Sequence, residues 1–295
     1  MKKIVLGLSL AVLASLCGFA RSRTANGGPG ASVVETDTIH SRVLDGPGAF
    51  TVYLPAGYDT DTTRTYPVLY LLHGFSDTNQ SWFHNAPLAT IADRLIASGE
   101  IQPMIIVSPN AGGTPGVDWN GYFDMPGRSY ETYMFSEFIP YIESAYRVKP
   151  GKDHRAISGL SMGGGGCASY AQRHPDMFGS AYIMSGWLHN EKTDVVNPHD
   201  KVAVVRRSVA DHSCLDYLEN AAPGSIDDLR SLAWYVDVGD DDFLLDVNLD
   251  FYRLMRKRGI PCQLRVRDGS HNWEYWTTAL YTSLPFASRN FKTAQ

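Results

Sequence analysis

The 295-residue chain has no run of basic residues: 26 Lys and Arg are scattered among 31 Asp and Glu, for a formal net charge of −5. Nucleic-acid binding needs cations gathered on one face, so no nucleic-acid partner is expected. No internal repeat, linker or second domain can be discerned. With 27 Gly, 16 Pro and 12% aromatics spread along its length, the chain is a poor match to coiled coil or disorder. Cysteine is scarce, at four residues. An apolar run of roughly 20 residues, the length needed to span a bilayer, is also missing.

The longest apolar run is Ile4 to Leu16, preceded by Lys2 and Lys3 and followed by Gly18-Phe19-Ala20. A positive start, a short apolar core and small residues at its end make a secretory signal, with cleavage near Ala20 and no membrane span in the mature form. Acylation of Cys17 is the alternative, disfavoured because the bulky Leu16 precedes it. The chain is therefore expected to be periplasmic or secreted. Cleavage leaves Cys167, Cys214 and Cys262, an odd set that allows at most one internal disulfide, Cys214 with Cys262 being one possible pair. Residues 21–30, Gly-rich and polar, are expected to be a flexible lead-in to a single catalytic domain over residues 31–295. Oligomeric state is open.

Short apolar runs alternate with longer amphipathic ones. Strands are expected at Ala49–Leu54, Val68–Leu72, Met104–Val107, Arg155–Ser158, Ser180–Met184, Ala233–Val238 and Gln263–Val266. Helices are expected near Leu88–Ser98, Tyr130–Tyr146, Met162–Arg173, Leu244–Lys257 and Trp273–Phe286. This alternation predicts an α/β domain with a mostly parallel sheet, its central strands buried on both faces. Residues 110–128 and 186–226 lack clear periodicity and are expected to be long functional loops.

Within Gly159-Leu160-Ser161-Met162-Gly163 the pattern G-x-S-x-G is a modest signal alone, because chance often supplies it. A strand before it and a small-residue helix start after it give the context of a nucleophile elbow, with Ser161 on a strained turn. Gly163–Gly166 would weaken an exposed helix, so this helix is expected to pack tightly on the sheet, and Gly164→Leu to block folding. A serine hydroxyl needs a base in hydrogen-bond reach. His271, in the turn after the last expected strand, suits that role better than His212, which no strand precedes. An acid should orient the base, and Asp240, Asp241 and Asp242 all follow the strand at Ala233–Val238. Chemistry alone leaves the choice among them open. For the oxyanion, the N–H groups of Met162 and of Phe75, in the loop after Val68–Leu72, are the expected donors. His73 is read as a structural residue of that loop. Trp119, Tyr122 and Phe123 are the candidates for packing against substrate. His189, His199, Asp200 and His212 match no compact ligand spacing, so no metal and no cofactor are expected.

The motifs LLHGF, GLSMGG, GDDDF and GSHNWEYW, in this order, resemble the esterase D-like branch of α/β-hydrolases. That branch includes feruloyl and acetylxylan esterases of carbohydrate esterase family one, S-formylglutathione hydrolases and mycolyltransferases, and the likeness covers residues 45–290. The resemblance implies an α/β-hydrolase fold and Asp242 as the acid, with Asp241 as runner-up. It also implies a serine carboxylesterase that removes feruloyl or acetyl groups from xylan, acting on an ester-bearing carbohydrate or small aromatic ester. The alternatives are an acyltransferase, an S-formylglutathione hydrolase-like thioesterase and a non-catalytic carbohydrate-binding relative.

Overall fold

The computed structural model describes residues 22–28, 30–112, 121–197 and 199–292. The expected signal segment, Cys17 and Trp119 lie outside the described residues. Strands β1 (Ser22–Ala25), β2 (Val33–Ser41), β3 (Gly46–Leu54) and β4 (Val68–Leu72) come first. Helices α1 (Ser81–His84) and α2 (Leu88–Ala97) lead to β5 (Ile105–Pro109). A small hairpin, β6 (Asp124–Met125) and β7 (Arg128–Ser129), precedes α3 (Tyr130–Tyr133), a π turn (Met134–Phe138) and α4 (Ile139–Ala145). Strand β8 (Arg155–Leu160), α5 (Met162–Arg173) and β9 (Ser180–Met184) follow. Three helices come next, α6 (Lys201–Asp211), α7 (Cys214–Asn220) and α8 (Pro223–Arg230). The last elements are β10 (Ala233–Gly239), α9 (Leu245–Lys257), β11 (Cys262–Arg267) and α10 (Trp273–Asn290).

Among the described residues the main sheet has nine strands in the order β1-β2-β3-β5-β4-β8-β9-β10-β11. Pairings are antiparallel from β1 through β5 and parallel from β5 onward. This is the α/β-hydrolase arrangement that the motifs imply. Strand β4 shows why its sequence is uniformly apolar: Val68, Tyr70 and Leu72 enter the core under α5 and α9, while Leu69 and Leu71 enter the one under α2 and α10. Both faces are covered, so alternation with polar residues has no place here. Each of these valine and leucine side chains contributes about 1.5–3 kcal/mol by leaving water.

Three expectations differ from the fold. Ser22–Ala25, placed in the flexible lead-in, pairs antiparallel with β2, and Arg23 meets Glu35 at 2.6 Å and Asp59 at 2.6 Å. Strand β2, not expected, buries Val33, Glu35, Ile39 and Ser41 along one face. The stretch 186–226 is helical from Lys201 onward, the described residues before it having no helix or strand: Asp200 caps α6 by accepting from Ala203 N–H, and Ser213 caps α7 by accepting from Asp216 N–H. Helix Tyr130–Tyr146 is present but interrupted. Its π turn lets Ile139 N–H reach Met134 O just before Pro140, which has no N–H to donate. Cys167, Cys214 and Cys262 are free thiols. No helix among the described residues is long and apolar enough to cross a membrane.

Candidate active site

Ser161 is the single residue between β8 and α5, with φ 53° and ψ −117°, a left-handed backbone that a side chain rarely adopts. The conformation is pinned on three sides. Its N–H donates to Met184 O (2.9 Å), and its carbonyl accepts from Gly165 N–H (3.0 Å) and Trp187 N–H (2.8 Å). Helix α5 can start this close to the sheet because, after Met162, its first turn is all glycine. A Cβ on Gly163 would stand 2.5 Å from His73 O, and one on Gly164 2.8 Å from the Gly186 Cα. Met162 is the first residue of α5, so its N–H has no intrahelical acceptor.

The loop after β11 brings His271 to this serine. His271 Nε2 lies 2.8 Å from Ser161 Oγ, and its Nδ1 lies 3.0 and 2.9 Å from the two Asp242 oxygens. Burial would raise the Asp242 carboxyl. Hydrogen bonds from His271, the Leu244 N–H and Ser185 outweigh that and hold it below its usual range. An ionised carboxylate only accepts, so Nδ1 carries the proton and Nε2 offers its lone pair to the serine hydroxyl. Asn272 fixes the approach by capping α10, its Oδ1 accepting from Tyr275 N–H at 2.9 Å. Trp276 stands edge-on to the imidazole at 4.8 Å, and Phe243 lies 4.4 Å from it. The neighbouring acids are elsewhere: Asp240 accepts from Gly269 N–H, and Asp241 is exposed.

His73, the residue before Gly74, is fully buried. Its Nε2 accepts from Ala111 N–H (2.9 Å), which requires the proton on Nδ1, donated to Gly74 O (2.8 Å). Burial pushes its pKa down to about 4, so the ring is neutral and acts as a brace for the loop carrying Phe75. Gly74 abuts the serine: a Cβ there would lie 3.6 Å from Ser161 Cβ and 2.6 Å from Leu160.

Tyr122 and Phe123 are not at the cavity. Positive φ at Gly121 and Tyr122 turns both rings inward. The Tyr122 hydroxyl accepts from His73 N–H and donates to His73 O, behind the loop rather than in front of it. Phe123 stacks on His212 with ring centroids 4.2 Å apart. Aromatic residues in a Gly-rich loop satisfy burial as readily as substrate contact, and here burial wins. The cavity in front of Ser161, about 430 Å³, is walled instead by Trp187, Trp273, Trp276, Phe243, Leu244 and Phe75, with Val202 and Arg206 contributed by α6. That volume suits a small organic acyl group. Trp273 and Trp276 sat in the GSHNWEYW motif and were legible as neighbours of His271; Trp187 and Arg206 lay in the stretch read as loop. Asp77 also lines the cavity, its carboxyl pushed up by burial against hydrogen bonds from Ser81, Gly74 and Trp273. Among the described residues, a trio of Asp240, Asp241 and Asp268 approaches metal-binding spacing, but all three are exposed and outside the cavity.

Residues 41–287 match the Esterase family model. A solved structure named as a ferulic acid esterase is 52% identical, with a TM-score of 0.85, the match covering 88% of this chain and 99% of that one. An endo-1,4-beta-xylanase/feruloyl esterase of Xylanibacter ruminicola is 36% identical over 138 residues, which is 46% of this chain and 19% of that protein. An acetyl esterase of Caldicellulosiruptor saccharolyticus is 22% identical over 250 residues, covering 78% of this chain and 85% of the relative. The chain spans less than a third of the length of the first curated relatives it matches.

Proposed function

The chain belongs to the esterase family, and from that premise we propose that it is an exported serine carboxylesterase that releases feruloyl or acetyl groups from plant cell-wall polysaccharide. The observation that carries the reading is the unbroken hydrogen-bonded series Asp242–His271–Ser161, held at a strained turn that opens on an aromatic-walled cavity. The names of the relatives supply the acyl groups. The tryptophan walls are suited to an aromatic acid.

In this mechanism Ser161 Oγ attacks the ester carbonyl as its proton passes to His271 Nε2. Asp242 stabilises the imidazolium so formed. The N–H groups of Phe75 and Met162 take the oxyanion of the tetrahedral intermediate, each worth roughly 10²–10³ in rate. Collapse breaks the ester C–O bond, and His271 gives its proton to the departing alcohol. Water then enters, loses a proton to His271 and attacks the acyl-serine, releasing the acid and restoring the hydroxyl. Export rests on the character of residues 1–20, and the N-terminal sequence of protein recovered outside the cytoplasm tests it.

Ser161→Ala is expected to lower hydrolysis of methyl ferulate and of p-nitrophenyl acetate by at least about 10⁴-fold. Circular dichroism should remain as in the parent. Full activity in that variant would remove Ser161 from the chemistry, and failure of the parent to react with a fluorophosphonate would favour a non-catalytic binding protein. Comparing release from methyl ferulate, acetylated xylan and S-formylglutathione ranks the acyl groups. A preference for the thioester would overturn the polysaccharide reading.

A further inference from the structure

Helix α6 places one charged side chain in the cavity whose role the reaction above leaves unassigned. Val202 and Arg206, four residues apart, share the face of α6 that lines the cavity, whereas Arg207 and Asp211 pair with each other at 2.8 Å and line a different depression. The position of Arg206 is set from below. Its carbonyl accepts from Asn190 Nδ2 (3.3 Å), Asn190 Oδ1 accepts from the Trp187 indole N–H (3.4 Å), and the Trp187 backbone N–H donates to Ser161 O (2.8 Å). Arg206 is thereby tied to the nucleophile's own wall. Among the described residues no carboxylate or carbonyl accepts from its guanidinium. Asp77, the other charge facing the cavity besides the His271–Asp242 pair, is engaged with Ser81, Gly74 and Trp273.

We propose that Arg206 is a specificity determinant that selects esters bearing a carboxylate in addition to the scissile ester. The inference rests on the esterase reading above. A guanidinium presents a planar fork of donors that a carboxylate accepts bidentately. Arg206 is exposed at the mouth of the cavity, so such a pair forms in contact with solvent and is sensitive to salt. A dianion such as phosphate is disfavoured, because Asp77 faces the same space. The formal net charge of −5 means that the chain as a whole does not attract anions, so recognition comes from this one cation rather than from a broad field. The carboxylate can belong to the acid or to the alcohol, as in a hydroxy acid or a uronate.

Two matched pairs of esters separate these sources. On the acyl side, methyl para-carboxycinnamate is compared with methyl para-methylcinnamate; on the alcohol side, para-carboxyphenyl acetate is compared with para-methylphenyl acetate. The readout is the ratio of kcat/KM within each pair, for the parent and for Arg206→Gln, Arg206→Lys and Arg207→Gln. In at least one pair the ratio is expected to fall roughly tenfold in Arg206→Gln, the size of one charge-assisted hydrogen-bonded pair. Arg206→Lys should recover part of it, Arg207→Gln should keep the parental ratio, and added salt should erode the parental preference. The pair that responds assigns the carboxylate to the acid or the alcohol. Equal ratios in parent and Arg206→Gln for both pairs, with turnover intact, would overturn the role of Arg206 and leave the esterase reading standing. A parent that cleaves none of the four esters would overturn both.

Discussion

Three consecutive aspartates at the end of β10 have different surroundings, and their chemistry follows from these. Asp242 is turned inward, its oxygens reached by the His271 ring and the Leu244 N–H, whereas Asp241 is exposed and Asp240 serves the backbone of Gly269. Asp242→Asn keeps the shape but offers an amide that can donate, which favours the imidazole tautomer with its proton on Nε2, the atom that must accept from Ser161. A loss in kcat of about 10³–10⁴-fold is expected, with KM nearly unchanged. Asp241→Asn should stay within about twofold of the parent, since surface changes away from such contacts act weakly. Steady-state kinetics on a p-nitrophenyl ester decide it, and the reverse pattern would exchange the two roles. The sequence alone ranked Ser161 and His271 from local context, because a nucleophile and a base each sit in a short motif. It could not rank the aspartates. Their difference lies in which way the turn points each side chain, and only the resemblance favoured Asp242. Trp119 lies outside the described residues. Tyr122 and Phe123 are buried away from the cavity, and in sequence an aromatic ring carries no mark of facing substrate rather than core.

At the scale of elements, α5 depends on glycine for contact rather than for flexibility. A Cβ on Gly165 would run into the Trp187 carbonyl, and neither the helix nor that segment can retreat, since Trp187 N–H is bonded to Ser161 O. Gly165→Ala should therefore destabilise the fold by about 1–3 kcal/mol or more, as overpacking against backbone does. Gly224, exposed in the first turn of α8, meets nothing within 4 Å of a built Cβ. Alanine there should stabilise by up to about 1 kcal/mol. Urea unfolding of the two variants reads both signs at once, and a neutral Gly165→Ala would refute the close packing of α5. Tight packing of this helix was inferable from four successive glycines, which no exposed helix would carry. Strands buried on both faces were equally plain from their apolar runs. Helices α6 to α8 were not, because they lie on the outside, bury only one narrow face and read as polar. Their capping residues Asp200 and Ser213 were the available signal.

For the molecule as a whole, the cost of building the loop that carries Phe75, the proposed oxyanion donor, is a histidine sealed in the core without a charged partner. His73 is bonded at both nitrogens to backbone groups, and burial pushes its pKa down to about 4. In the unfolded chain the same ring titrates near 6.5. Above about pH 6.5 neither state is protonated, and the folded state has its full stability. As the pH falls below that value, the unfolded chain takes up a proton that the fold refuses, so stability declines until the folded ring itself titrates near 4. His154, also lowered by burial, acts in the same sense, and Asp242, held low, adds its loss only at still lower pH. Asp77, raised by burial, acts oppositely near the ordinary carboxyl range, so the window that isolates histidine lies above it. Unfolding free energy from urea titrations should fall by about 2 kcal/mol between about pH 7 and pH 5. His73→Gln should be less stable at neutral pH, having lost a ring that serves both Gly74 O and Ala111 N–H, yet its stability should vary less over this interval. A parent whose stability is flat there would mean that the ring takes up a proton inside the fold. The loop that carries Phe75 would then be braced by a charge, not by a neutral imidazole.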